Sequence, residues 1–245
     1  MIIGFIGFGK VSKTLAKLFT NENIELITSC EDRSQKTIEN IKNSNVKVLN
    51  SFKEVSIKSD ILISANSPKQ AIEVAKKYGS LSKNIYLDLN NVSPKTTLEI
   101  SKYSENVVDG AIIGKIDGKN PILYLSGENA FKLECFNQFI STKIISENIG
   151  DASTLKLLRS SFTKSLSAIL IESVNLADSF NLKEELFEVL ALTEGKNFKR
   201  NSESRIKNSK ENNKRKIEEL EEMIDYFKNN DLTMIRATLE KFKEI

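Results

Sequence analysis

The 245-residue chain has no histidine and no tryptophan, and only two cysteines and three prolines. Each scarcity closes off some chemistry. Without an imidazole there is no Ser-His-Asp or Cys-His nucleophile and no ordinary side chain titrating near neutrality, so any proton carrier must be another group. Cys30 and Cys135 are too few for a disulfide framework and too far apart in sequence for a clustered metal site, so no metal is expected. No segment supplies the ~18 uninterrupted apolar residues of a membrane span. The nearest, 166–176, is broken by Glu172, Ser173 and Asn175. Met1 to Phe8 is apolar but lacks the basic leader of a signal peptide. The expectation is a cytoplasmic protein without a membrane partner.

What is present fits a folded chain, 40% hydrophobic and 28% charged, long enough for two domains of unequal size. A net charge of +3 is a mild excess that does not call for nucleic acid. The basic residues between Lys199 and Lys216 alternate with Glu203 and Glu211, and no aromatic residues lie among them. That stretch reads as a solvated helix face with its connections, or as a mobile segment, and no nucleic-acid partner is expected.

Short apolar runs alternate with helical patterns through the first 150 residues. Strands are predicted at 2–6, 24–28, 46–49, 61–65, 85–89, 107–108 and 122–125, with helices after Val11, around Thr37, after Pro68 and after Pro94. A doubly wound, mostly parallel α/β sheet follows. From Ala152 to Phe180 one long helical period takes over, and further helices are read at 186–192, 217–227 and 234–242 with no strand pattern returning. The domains are therefore set at 1–150 and 151–245, the second smaller and all helical.

Gly7-Phe8-Gly9-Lys10-Val11-Ser12 stands between the first strand and the first helix. Gly7 suits a tight turn, Gly9 lets a pyrophosphate approach the backbone, and Ser12 takes the place of a third small residue where the helix packs on the strand. Dinucleotide binding is the expectation. After the second strand, Ser29-Cys30-Glu31-Asp32-Arg33-Ser34 gives a mixed signal. Glu31 or Asp32 suits a ribose diol, whereas Arg33 with Ser29 or Ser34 suits a 2′-phosphate, and NADP is preferred over NAD.

Four stretches in order resemble the superfamily of 6-phosphogluconate and 3-hydroxyisobutyrate dehydrogenases, the β-hydroxyacid dehydrogenases, over about residues 1–180. They are Gly4 to Gly9 through Ala16, Ser64-Ala65-Asn66-Ser67-Pro68, Asp88 to Pro94 with Asp109 to Gly114, and Gly150 to Ser160. The wording is most similar to the short branch of phosphogluconate-dehydrogenase-like proteins. The resemblance implies a Rossmann-like domain, with Ser64, Ala65, Asn66 and Asn90 beside the cofactor together with the glycine loop. It implies Lys156 as catalytic acid/base, Ser160 where many members have asparagine, and substrate contacts from Asn91, Val92, Ser93, Ile113, Gly114, Thr163 and Lys164.

Lys156 also suits the role on chemical grounds, because a desolvated lysine can titrate near neutrality and replace the missing histidine. The expected function is hydride transfer between NADP(H) or NAD(H) and a small hydroxyacid or its keto form, with a carboxylate substrate. The alternatives are a non-catalytic dinucleotide sensor and an imine reductase. The resemblance further implies a homodimer through the helical domain, with Phe180, Leu182, Leu186, Phe187, Tyr226, Phe227 and Phe242 available to cover either a partner or the domain's own core.

Overall fold

The computed structural model describes residues 1–82 and 84–245. It divides into two compact units, Met1–Lys156 and Leu157–Ile245. In the first, β1 (Ile2–Ile6), β2 (Glu25–Ser29), β3 (Lys47–Leu49), β4 (Ile61–Ser64), β5 (Ile85–Asp88), β6 (Val107–Ile113), β7 (Ile122–Ser126) and β8 (Ser141–Ser146) form one sheet in the order β3-β2-β1-β4-β5-β6-β7-β8. The order reverses between β1 and β4, the crevice where doubly wound sheets take ligands. All pairings are parallel except β6 with β7. The helices of this unit are α1 (Lys10–Leu18), α2 (Gln35–Lys42), α3 (Phe52–Lys58), α4 (Pro68–Tyr78) and α5 (Pro94–Ile100).

Central strands of this kind are buried on both faces, which explains their continuous apolar spelling. Ile3, Phe5, Ile63 and Leu87 enter one core with Leu15, Phe19, Leu125 and Phe136. Ile6, Leu62 and Tyr86 enter the other with Val55, Ala71, Val74 and Ile100. Besides short 3₁₀ turns and the nine-residue 3₁₀ stretch Ala130–Gln138, two elements lie outside the expected set. For α3, Ser51 caps the helix by accepting from the Glu54 N–H at 3.2 Å, and the Glu54 carboxylate reaches back to the Asn50 N–H. β8 is a half-exposed strand beside β7 whose apolar residues, Ile144 and Ile145, are adjacent rather than alternating.

α6 (Asp151–Ser179) is one continuous helix whose first six residues belong to the first unit. The second unit continues with α7 (Lys183–Glu194), α8 (Phe198–Glu211), α9 (Asn213–Tyr226) and α10 (Thr233–Lys243). Its core gathers Ala168, Leu220, Met223, Leu239 and Phe242. The polar stretch at 199–216 is helical, in α8 and the start of α9. Leu232 stands at the N-cap of α10, and Asp231 one residue earlier accepts from both the N–H and the hydroxyl of Thr233. Among the described residues no helix is long and apolar enough to cross a membrane.

Candidate functional site

The turn after β1 is held open by its glycines. Gly7 has φ +89°, and a Cβ there would lie 2.5 Å from the Ala65 carbonyl oxygen. A Cβ on Gly9 would meet nothing within 4 Å, so the backbone faces free space at the start of α1. Beneath the loop, the buried Ser12 hydroxyl donates to the Gly7 carbonyl at 2.6 Å. Ser12 thus braces the turn from below, the contact that a small third residue permits.

A groove of about 400 Å³ runs over this loop, lined by Gly7, Phe8, Gly9, Lys10 and Val11, by Ala65 and Asn66, by Asn91, and by Arg33. Ser67 and Leu89, which stand within the quoted motifs, also line it, as do Thr37 and Gln70, which the sequence did not point to as site residues. At its outer end Asp32 adopts a left-handed φ of +53°, and the Arg33 guanidinium lies 4.5 Å over the Phe52 ring with its buried Nε lacking a partner. Ser34 caps α2, accepting from the Thr37 N–H. The two other polar groups weighed for this end are engaged elsewhere. Glu31 accepts from the Phe52 N–H at 2.9 Å, and the buried Ser29 hydroxyl accepts from the Glu31 N–H.

Below the groove lies a polar network. Asn90 accepts from the Asn66 N–H and donates to Ser64 and to Asp88, while Asn66 donates to the Ile6 carbonyl. Ser64 and Asn90 are buried, so they shape the groove floor, whereas Asn66 reaches the surface of the groove itself. Asn91 is exposed, Ser93 caps α5 through the Thr96 N–H, and Val92 packs on the second core. Ile113 ends β6, and Gly114 follows at φ +99°.

The strand register sets Asp88 on β5 opposite Asp109 on β6, both about 1% exposed. Asp109 accepts from the Ser153 N–H at 2.8 Å and its hydroxyl at 2.7 Å, and Ser126 donates to it as well. Ser126 also accepts from the Ala152 N–H. Two orphan amides of the first turn of α6 are thereby satisfied, and a carboxylate faces the positive end of the helix. Lys156 follows Ser153 by one turn, is half-buried, and acts on both carboxylates, favouring their charged forms. Even so, burial pushes Asp88 up to about 7, with Asp109 beside it adding to the rise, and burial raises Asp109 too. Burial likewise raises the neighbouring Tyr86 phenol.

In the second unit Ser160 accepts from the Lys164 ammonium at 2.5 Å, and Lys164, 5% exposed, pairs with Glu219 at 2.7 Å. The Thr163 hydroxyl donates back to the Ser160 carbonyl.

Sheet order, glycine turn and the held start of α6 define the class, the 6-phosphogluconate and 3-hydroxyacid dehydrogenase fold. A profile described as "NADP oxidoreductase coenzyme F420-dependent" matches residues 2–92. A conserved protein of unknown function, described as structurally similar to 3-hydroxyacid dehydrogenases, superposes with TM-score 0.87 at 34% identity, over 100% of this chain and 96% of that one. The 3-hydroxyisobutyrate dehydrogenase of Mycobacterium tuberculosis shares the fold at TM-score 0.79 and 12% identity, over 99% of this chain and 92% of that one. The chain belongs to the family of the "uncharacterized 28.5 kDa protein in 7S RNA 5′region" of Methanothermus fervidus. The two are 44% identical over 250 residues, covering 100% of this chain and 99% of that protein.

The pH dependence of Asp88 is a direct consequence of its burial. The folded state keeps a proton that the unfolded chain releases near pH 4, so the stabilisation is present below about pH 4 and is lost as pH rises through about 7. Asp88→Asn removes this loss. In urea unfolding, the variant's stability relative to wild type should grow by on the order of 2–3 kcal/mol between about pH 5 and about pH 8. An unchanged difference would mean that Asp88 is ionised throughout.

Proposed function

We propose that the protein is an oxidoreductase that transfers hydride between NADP(H), or less readily NAD(H), and a small hydroxyacid or its keto form. The observation that carries this reading is the anchored start of α6. Asp109 holds Ser153, and Lys156 stands one turn later in the field of two buried carboxylates. The groove residues suit a dinucleotide. Gly9 leaves space at a helix N-terminus for a pyrophosphate, and Gly7 is set where a side chain would collide. Arg33 supports the phosphorylated cofactor, since its Nε is unspent and the nearby Glu31 is committed to α3. The match of residues 2–92 to a profile of NADP oxidoreductases points the same way.

When bound, NADP(H) supplies or accepts the hydride. Lys156 takes the proton of the substrate hydroxyl in oxidation and returns it to the carbonyl oxygen in reduction. Asn91, Ser93 and the Ile113-Gly114 backbone, with Ser160, Thr163 and Lys164, are the candidates to orient the carboxylate. The active species is proposed to be a cytoplasmic homodimer. Phe187 and Phe242 are buried within the helical unit, whereas Leu176, Phe180, Val189 and Leu192 are more than half exposed and would be covered by a partner.

Lys156→Ala should bind NADPH with affinity near that of wild type, read by nucleotide fluorescence, while kcat falls about 10²–10⁴-fold. Undiminished turnover would remove Lys156 from the chemistry. Arg33→Ala should raise KM for NADPH about tenfold and leave KM for NADH unchanged. A wild-type preference for NADH would overturn the clamp. Light scattering should give twice the 27.6 kDa mass of the chain, and a monomer at micromolar concentration would refute the dimer.

A further inference from the structure

One row of polar side chains crosses the sheet of the first unit where β4 and β5 end. The register sets Ser64 of β4 beside Asp88 of β5, Asp88 beside Asp109 of β6, and Asp109 beside Ser126 of β7. Residues paired in this way point to one face of the sheet, and all four are buried.

The two carboxyl groups in the row are served unequally. Asp109 receives three donors, the amide and hydroxyl of Ser153 and the hydroxyl of Ser126. Asp88 receives the amide and the side-chain nitrogen of Asn90, both on Oδ1. Its buried Oδ2 has no hydrogen-bond partner among the described residues. A buried carboxylate keeps its charge where donors surround it, and an oxygen to which nothing donates is the place for a proton. The geometry therefore puts the charge on Asp109 and the proton on Asp88.

The groups that act on Asp88 come from three elements. Asp109 of β6 opposes its ionisation, Lys156 of α6 favours it, and Asn90, just past β5, donates to the charged form. Tyr86, two residues earlier on the same face of β5, is a buried phenol whose ionisation both burial and Asp88 oppose, so it keeps its own proton. Lys156 stands one turn after Ser153, which Asp109 holds, and its charge favours the ionised form of both carboxyl groups.

We propose, resting on the reading of Lys156 as acid/base, that Asp88 and Asp109 hold one proton between them, on Asp88, and that Asp88 releases it to solvent when Lys156 takes the proton of the substrate. In the form poised for oxidation Lys156 is the neutral amine and Asp88 the neutral acid. The substrate O–H bond breaks, its proton passes to Lys156 and the hydride of the same carbon goes to NADP⁺. The new ammonium favours ionisation of Asp88, whose proton is the one that the overall oxidation sets free. The two transfers leave the charge of the site unchanged, and reduction runs them in reverse. Asp88 touches neither substrate nor cofactor in this scheme and acts through Lys156.

The test is infrared difference spectroscopy of the full-length protein, without cofactor or substrate, between about pH 5 and about pH 9. The C=O band of a protonated buried carboxyl should disappear with a midpoint of about 7 and be absent from Asp88→Asn. In Lys156→Met, which lacks the favouring cation, the midpoint should rise by about one pH unit or more. Asparagine at 88 keeps the acceptor for Asn90, and if that variant fails to fold, Lys156→Met alone decides. With a substrate that is turned over, wild-type kcat/KM should show an ionisation near 7 that Asp88→Asn lacks, at unchanged NADPH affinity. A wild-type protein without the band, or a midpoint that Lys156→Met leaves in place, would overturn the proposal. The infrared results need no turnover, so a protein that shows them and oxidises no hydroxyacid would uphold the coupling and fail the hydride chemistry alone.

Discussion

Asp109 is the residue on which the start of α6 depends. A helix begins with amide groups that have no partner in the helix, and at α6 the sheet supplies one. Asp109 takes the Ser153 amide and hydroxyl, while Ser126 takes the Ala152 amide. The strand register then sets Asp88 beside Asp109, in a volume where neither carboxylate is readily solvated. Two adjacent buried carboxylates oppose each other's ionisation, so the cation one turn along α6 is more than a bystander. Lys156 lowers the cost of their charge. A chain without histidine has in Asp88, pushed up to about 7 by burial, a carboxyl that titrates where an imidazole would have.

Much of the architecture was legible because buried parallel strands announce themselves as apolar runs ending at turn residues. β1, β4 and β5 are of this kind, and Pro68 and Pro94 mark the helices that follow. α3 was not read, since seven residues are too few for a period, although Ser51 and Glu54 carried a capping signal. β8 escaped for a different reason. It is half-exposed, and its adjacent Ile144 and Ile145 break the alternation that a strand with one face in water should show.

The site was legible where backbone shape matters and opaque where long-range pairing does. Gly7 and Gly9 could be read from their place between strand and helix, because their requirement is local. The engagement of Glu31 with α3 could not, because it depends on an element 21 residues further on. The partnership of Asp109 with Ser153 spans 44 residues, and no spacing rule carries it. Both aspartates stood in the motifs that resemble the superfamily, yet their burial and their coupling emerge only from the register of β5 and β6.

The basic stretch shows how interleaving can mislead. In sequence Glu203 and Glu211 appear to balance the cations, but a helix separates neighbours by about 100° per residue, so sequence proximity is not spatial proximity. The carboxylates that neutralise charge must share a face with it. On α8 Lys207 meets Glu211 at 3.9 Å on an exposed face, whereas Arg205 turns toward α6 and Lys216 toward Ser209 and Phe242. Among the described residues Glu219 is the acid that pairs with this cluster, and it is shared between Lys164 and Arg215. The mild net charge of the whole chain therefore conceals a separation within the second unit, with balanced pairs outside and an uncompensated excess where α6, α8 and α9 meet. Burial and the neighbouring cations hold both Lys216 and Lys164 below the usual lysine range, and Glu219 opposes that shift at each of them.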